Sequence, residues 1–395
     1  MTSFPDDILR PTDEDTLFRV ITCLANEGYN VNNVLQTNKA FWNDEQIWDA
    51  MKNKCGPEGM TPLMYNAWKG NTERVAWLLK RTPNLDAKMD SGSTALTLAC
   101  YYNHPKIVKM LLNKGAKCIR TDDGSTCLIT AVVNRHETIV KMLLDHGVEP
   151  NQCNGGRSPL GTAAYDGCLP IVKMLCDVGA ELEVRDGLDF TPLIDACYTG
   201  HLDIVKELIQ RGSNVNAVGD WGYGRTPLLV AALARRINMM VELINAGADV
   251  NFKNRKGKTA LFTACEHGDE DVAILLVKSG ADPNVGMPTP LWLAARAGLT
   301  NLVKELCYHG ADVNARCGIE SPLEIAAYHN RHVEVVKFLA VRADQDSLNR
   351  ATSRALERHS VDLLKVLLNR VDAKRYKEYL NCGNEEIIVL LNRFI

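Results

Sequence analysis

The stretch from Thr191 to Asn216 decides the fold: it reads TPLIDACYTGHLDIVKELIQRGSNVN, and variants of it return along most of the chain. Its opening, Thr or Ser followed by Pro, Ala or Cys and then Leu, occurs nine times at intervals of 30 to 35 residues. The copies begin at Thr61, Thr94, Thr126, Ser158, Thr191, Thr226, Thr259, Thr289 and Ser321. A period this regular predicts one supersecondary unit that is stacked many times.

Each copy predicts two short helices, as the copy at Thr94 illustrates. The Thr94 hydroxyl can accept a backbone N–H of the first helical turn, so it is a candidate N-cap. The second helix carries Ile107 and Leu111 on one face and ends before Gly115, which suits a left-handed C-cap. A polar, hairpin-forming stretch follows. One such unit is too small to bury both faces of its helices, so the copies must share a core as a solenoid.

The copy at Thr191 also resembles the ankyrin repeat. The matching elements are Thr191-Pro192-Leu193, Ala196-Cys197, Gly200-His201, Ile204-Val205 and Asn214-Val215-Asn216. The resemblance covers residues 56–348 and implies an all-α solenoid of antiparallel helix pairs with short β-hairpin loops. It also implies a concave groove, lined by short helices and hairpin tips, that binds other proteins. The His that commonly follows T-P-L in the family is absent from every copy, so its inter-repeat hydrogen bonds are not expected.

We assign residues 56–395 to the solenoid, with degenerate repeats from about residue 350. A tenth copy is expected to start near Arg350, with Leu363 and Leu367 among its core residues. Residues 381–391 predict a last helix. Degraded copies are expected at the end of an array, because a terminal repeat turns one face to water.

Residues 1–55 do not share the repeat. Residues 13–26 predict an amphipathic helix, because their apolar side chains recur at helical spacing. Two interpretations stay open: a helical cap over the first repeat, or an F-box-like segment within residues 13–51. The F-box resemblance implies a substrate-recognition subunit of a ubiquitin ligase, with a ligase adaptor as partner.

Aromatic residues are concentrated seven residues after the opening Thr or Ser. That position is aromatic in five of nine copies, although aromatics make up 6% of the chain. It lies away from the buried stripe of the first helix, which directs it toward the groove. Two interpretations stay open, a binding surface and rings packed between repeats. From this position come the candidate partner-binding residues Trp68, Tyr101, Tyr165, Tyr198 and Tyr328, together with the adjacent Tyr102.

A two-residue insertion before Thr226 gives a second candidate surface. Insertions in repeat proteins map to loops that often lie on the binding face. The insertion places Trp221 and Tyr223 at a Gly-rich tip, and Phe190 lies at the neighbouring tip, so we add these three residues to the candidates. The next hairpin carries a basic cluster suited to an acidic segment of a partner. The cluster consists of Lys253, Arg255, Lys256 and Lys258.

Composition and motifs argue against other functions. The 45 Lys and Arg residues nearly balance 48 Asp and Glu residues, so no nucleic-acid partner is expected. We expect no membrane span and no secretory signal, and the 13 scattered cysteines favour a reducing compartment. A cytoplasmic location is therefore predicted, with the nucleus as the alternative. Because no catalytic or metal-binding motif occurs, we expect a non-enzymatic scaffold or adaptor without cofactors.

Overall fold

The computed structural model describes residues 59–81, 83–153, 156–220, 222–329, 332–381 and 384–395. Residues 1–55, the predicted cap or F-box-like segment, lie outside the described residues, as does Trp221. The chain divides into two compact units, one ending at Gly187 and one beginning at Leu188. We describe each unit by itself.

The described part of the first unit consists of four helix pairs. They are α1 (Pro62–Lys69), α2 (Thr72–Leu79), α3 (Ala95–Tyr101), α4 (Pro105–Asn113), α5 (Cys127–Val133), α6 (Glu137–Asp145), α7 (Pro159–Asp166) and α8 (Leu169–Asp177). Each first helix packs against its own second helix and against the first helix of the next pair. The stacking predicted from the repeat is therefore present in this unit.

The second unit continues the same pattern. Its helices are α9 (Pro192–Thr199), α10 (Leu202–Gln210), α11 (Pro227–Leu233), α12 (Ile237–Asn245), α13 (Ala260–His267), α14 (Glu270–Lys278), α15 (Pro290–Ala297), α16 (Thr300–Tyr308), α17 (Pro322–Tyr328), α18 (Val333–Ala340), α19 (Gln345–Glu357), α20 (Val361–Leu367) and α21 (Glu385–Phe394). Two 3₁₀ segments, Leu368–Arg370 and Ala373–Asn381, lie between the last two helices.

The recurring Thr or Ser starts the first helix of every copy. In all nine copies its hydroxyl accepts the backbone N–H three residues ahead, at 3.0 to 3.4 Å. Proline occupies the first helical position in most copies, where no N–H partner is needed. The second helices end near glycines with positive φ, such as Gly115 at 89° and Gly212 at 93°. These caps confirm the predicted helix boundaries.

The hairpins between copies are tight turns rather than extended strands. In the first unit the Met89 N–H donates to the Ser93 carbonyl, and the Thr121 N–H donates to the Ser125 carbonyl, each at 2.9 Å. In the second unit Gly219 and Arg225 form an isolated antiparallel bridge at the predicted insertion. Each of these three loops is closed by two backbone hydrogen bonds.

The second-unit hairpins are joined by a ladder of asparagines. The Asn251 side-chain oxygen accepts the Asp282 N–H at 2.7 Å, and its amide donates to the Gly280 carbonyl at 3.1 Å. Asn216 and Asn284 make the same two bonds to the copies that follow them. These asparagines had been predicted only to form hairpins, whereas they also hold consecutive repeats together.

The degenerate C-terminal copy begins earlier than predicted. Helix α19 starts at Gln345, and Asp344 caps it by accepting the Ser347 N–H at 2.7 Å. The expected start near Arg350 was wrong by about one turn, because an Asp cap replaces the usual Thr or Ser. Leu363 and Leu367 are buried as expected, and the predicted last helix is present as α21.

The cysteines of the repeat are small core residues. Cys100, Cys197 and Cys265 are buried, as predicted from their shared position in the repeat. Cys118 and Cys127, by contrast, are joined by a disulfide in the first unit. This bond differs from the uniformly free thiols expected in a reducing compartment.

Candidate protein-interaction groove

The aromatic position of the repeat lies on the surface. None of the nine side chains seven residues after the opening Thr or Ser is buried. Tyr101 and Val133 are 53% exposed each. Of the five aromatic side chains at this position, Tyr101, Tyr198 and Tyr328 are exposed, whereas Trp68 and Tyr165 are half-buried.

Three of the predicted aromatics meet in the first unit. Tyr101 ends α3 and Tyr102 follows it, with ring centroids 4.9 Å apart. The Trp68 ring lies 6.1 Å from the Tyr102 ring and 5.8 Å from Tyr65. Tyr65 was missed by the sequence analysis, although its position one turn before Trp68 on α1 was a usable signal.

Histidines of the following repeats hold the helix ends that carry these rings. The His104 Nε2–H donates to the Trp68 carbonyl at 3.0 Å, and the His136 Nε2–H donates to the Tyr101 carbonyl at 3.2 Å. Donation is required because a carbonyl oxygen only accepts. These histidines thus bond one repeat to the preceding one, and each bond fixes where an aromatic side chain leaves its helix.

Tyr101 and Tyr102 open onto a groove of ≈620 Å³, which we call the Tyr101 groove. One wall is the exposed side of α3 and α5, including Val133. The other wall consists of two hairpin tips, residues 90–93 and 121–125. The arrangement matches the groove of short helices and hairpin tips that the repeat resemblance implied.

The hairpin wall of the Tyr101 groove is acidic. Asp90, Asp122 and Asp123 line it and are exposed, whereas no Lys, Arg or His lines the groove. The pKa of Asp123 is lowered, chiefly because the Thr121 hydroxyl donates to its carboxylate and also because the Ser125 N–H does so. Asp123 is therefore ionised at neutral pH. In the described structure none of the three carboxylates forms an ion pair.

Four of the other predicted rings carry a cation of the chain itself. The Arg157 guanidinium lies 3.8 Å from the Tyr165 centroid in the first unit. In the second unit the Lys256 amine lies 3.7 Å from Tyr223, and the Arg358 guanidinium lies 4.0 Å from Tyr328. Trp68 carries Lys69 at 3.8 Å. In these cation–π pairs the negative face of each ring is occupied by a cation of the same chain.

Two predicted residues, Phe190 and Tyr198, lie close together but differ in exposure. Phe190 is 2% exposed and does not belong to an exposed surface, so its assignment as an accessible contact is corrected. Its ring lies against Gly219, where even a Cβ would approach it to 2.6 Å, and it supports the inserted hairpin from below. Tyr198, 6.4 Å from Phe190, is 41% exposed.

The basic cluster next to the inserted hairpin is largely satisfied inside the chain. Arg255 pairs with Asp220, and Lys258 pairs with Glu266 at 2.6 Å. Lys256 lies over the Tyr223 ring. This leaves Lys253 as the cluster member without such a partner in the described structure, so the cluster is a weaker candidate for an acidic segment than the sequence predicted.

The buried cysteines are poorly suited to nucleophilic chemistry. Burial raises the pKa of Cys265 to about 12, and it raises the pKa values of Cys100 and Cys197 as well. A protonated thiol is neither a nucleophile nor a metal ligand. Across the described ranges, His, Cys, Asp and Glu form no cluster of three or more suited to a metal ion. The helices of these ranges are also too short or too polar to cross a bilayer.

Comparison with known families agrees with this geometry. The model of the family described as ankyrin repeats (3 copies) matches residues 21–122, 117–186, 154–219, 193–287 and 286–349. The chain belongs to the ankyrin repeat family. The ankyrin repeat is typically a non-enzymatic unit of protein–protein interaction, so a protein partner is implied. The first match begins inside the segment that we assigned to an N-terminal cap.

Curated relatives share short stretches of ankyrin sequence. The putative E3 ubiquitin-protein ligase XBAT35 of Arabidopsis thaliana is 42% identical over 82 residues, 18% of this chain and 17% of that protein. Human ankyrin repeat and KH domain-containing protein 1 is 47% identical over 58 residues, 15% of this chain and 2% of that protein. Human ankyrin repeat domain-containing protein 49 is 54% identical over 37 residues, 9% of this chain and 16% of that protein. The matches thus span less than a fifth of each relative.

A solved structure is also similar. The crystal structure of the human ASB11 ankyrin repeat domain is 22% identical and has a TM-score of 0.46. The match covers 64% of this chain and 99% of that chain.

Proposed function

We propose that this ankyrin repeat protein is a scaffold or adaptor that binds a segment of a partner protein in the Tyr101 groove. The observation that supports this most is the exposure of Tyr101 and Tyr102 beside a groove of ≈620 Å³. Tyrosines offer large, rigid contact area at low cost in side-chain entropy. Because caps and histidine bonds fix the groove walls before binding, little ordering entropy is lost on association.

A double variant, Tyr101→Ala with Tyr102→Ala, tests this proposal. We expect loss of the proteins retained by the intact chain in affinity purification with mass spectrometry, and an unchanged melting temperature because both rings are surface residues. Tyr308→Ala is the matched control, since Tyr308 is 69% exposed but lies on the second helix of its repeat, α16. Retention of the same proteins by the double variant and the control would contradict the proposal.

The second candidate function is substrate recognition in a ubiquitin ligase. It rests on the F-box-like segment, residues 13–51, which lies outside the described residues, and on the short match to a relative named as a putative E3 ligase. The same purification separates the two candidates. A cullin adaptor that is retained by the intact chain and lost on deleting residues 13–51 would favour this candidate.

A cytoplasmic or nuclear location of the protein stays a prediction.

A further inference from the structure

The two tyrosines of the Tyr101 groove differ from four of the other predicted rings in what covers them. Trp68, Tyr165, Tyr223 and Tyr328 each have a Lys or Arg of the chain within 3.7 to 4.0 Å of the ring centroid. Within the described ranges, no Lys or Arg lies over Tyr101 or Tyr102. Tyr101 and Tyr102 contact each other, and Tyr102 also contacts Trp68, but the two residues are 53% and 45% exposed, so part of their ring surface is accessible to a cation from outside.

The wall facing these rings offers charge of the matching sign. The groove lining contains three aspartates and no basic residue, whereas the whole chain is nearly balanced with a net charge of -3. Asp90 and Asp122 make no side-chain hydrogen bond or ion pair in the described structure, so their carboxylate oxygens are available to a ligand. Most acidic side chains of the last repeats, by contrast, have a local partner, as Asp346 does with Arg316 and Arg350.

We infer that the Tyr101 groove binds a partner segment that carries arginine side chains. This inference rests on the proposed function and specifies the partner's chemistry. A guanidinium can stack on a tyrosine face while its N–H groups donate to a carboxylate, and Arg stacks in this way more often than Lys. The tyrosines then supply the stacking faces, and Asp90, Asp122 and Asp123 accept the hydrogen bonds.

The test uses the intact chain and a fluorescein-labelled peptide of alternating Arg and Gly, with a Glu–Gly peptide as negative probe. Fluorescence anisotropy should show binding of the Arg peptide that weakens as salt is added. The variant Asp90→Asn, Asp122→Asn, Asp123→Asn should bind at least about tenfold more weakly, since several charge-assisted contacts are lost together. Asn keeps one side-chain oxygen, which can still accept the Thr121 hydroxyl and the Ser125 N–H that bond Asp123 Oδ1, so we expect the hairpin to be preserved.

A matched control removes three acidic charges elsewhere in the same unit. Glu137→Gln, Asp145→Asn and Glu149→Gln lie outside the groove lining and change the net charge equally. This control should bind the Arg peptide about as well as the parent chain. Equal weakening of both variants would overturn the inference, because binding would then follow net charge alone. Unchanged binding by the Tyr101→Ala, Tyr102→Ala variant would overturn it too.

Two further outcomes keep this inference separate from the proposed function. If partner retention depends on Tyr101 and Tyr102 but the Arg peptide does not bind, the inferred chemistry is wrong and the interaction function stands. If sedimentation shows a dimer of the chain that the groove variants dissociate, the occupant is a second copy and the inference is overturned.

Discussion

Tyr101 occupies the aromatic position of its repeat, and Tyr102 follows it. The sequence singled out the position by its aromatic enrichment, and in the structure Tyr101 is 53% exposed whereas Trp68 and Tyr165 are half-buried. Which rings stay uncovered was not predictable. Lys256 reaches Tyr223 from the next hairpin, and Arg358 reaches Tyr328 from the end of α19. The cation over a ring therefore depends on how the chain packs in three dimensions, and not on a fixed number of residues between the cation and the ring.

Glu324 is a second position where the structure adds to the sequence. It replaces the family's usual His after the repeat opening, yet it is 3% exposed and its Oε1 has no hydrogen-bond partner in the described structure. Burial raises its pKa, against smaller opposing effects of Ser321 and of two arginines. Those arginines, Arg316 and Arg350, both bind Asp346 instead.

We therefore predict that Glu324→Gln stabilises the protein at neutral pH. A carboxyl whose native pKa exceeds its unfolded value binds protons more tightly when folded, so it costs stability as pH rises above the usual 4.5. The variant should gain on the order of 1 kcal/mol in free energy of unfolding at pH 7, and the gain should disappear toward pH 4. Urea unfolding at both pH values measures this difference. An equal gain in stability at both pH values would show that the charge of the Glu324 carboxylate is not the cause.

At the scale of the element, the repeat could be read from the sequence almost completely. The Thr or Ser caps and the positive-φ glycines mark helix ends by local chemistry, and all nine predicted caps are present. The start of α19 was misplaced because Asp344 caps it in place of the repeated signal. The bonds between hairpins were missed because they depend on the register of two neighbouring copies.

Those bonds give a prediction about the coupling of repeats. Asn251→Ala removes an acceptor and a donor that join two hairpins, and should lower the free energy of unfolding by about 1–2 kcal/mol. Chemical denaturation measures the loss. Lys253→Ala is the control, because Lys253 lies in the same exposed loop without such bonds in the described structure. Similar losses in both variants would mean that the asparagine ladder does not couple the repeats.

At the scale of the molecule, repetition separates stability from recognition. The buried positions and caps are nearly the same in every copy, so they serve stacking and carry no specificity. Specificity is expected from the positions that vary on the surface, and in the Tyr101 groove these combine two exposed tyrosines with three carboxylates that form no ion pair in the described structure. The ankyrin family accounts for the scaffold, and we propose that a few side chains on it select the partner.

Hydrogen–deuterium exchange of the intact chain, with and without its purified partner, tests this account most directly. We predict slower exchange on binding in peptides that cover residues 90–102 and 121–134, because each range contributes one hairpin tip and one helix to the Tyr101 groove. Protection confined to the second helices, such as α4 and α6, with the groove peptides unchanged, would contradict it.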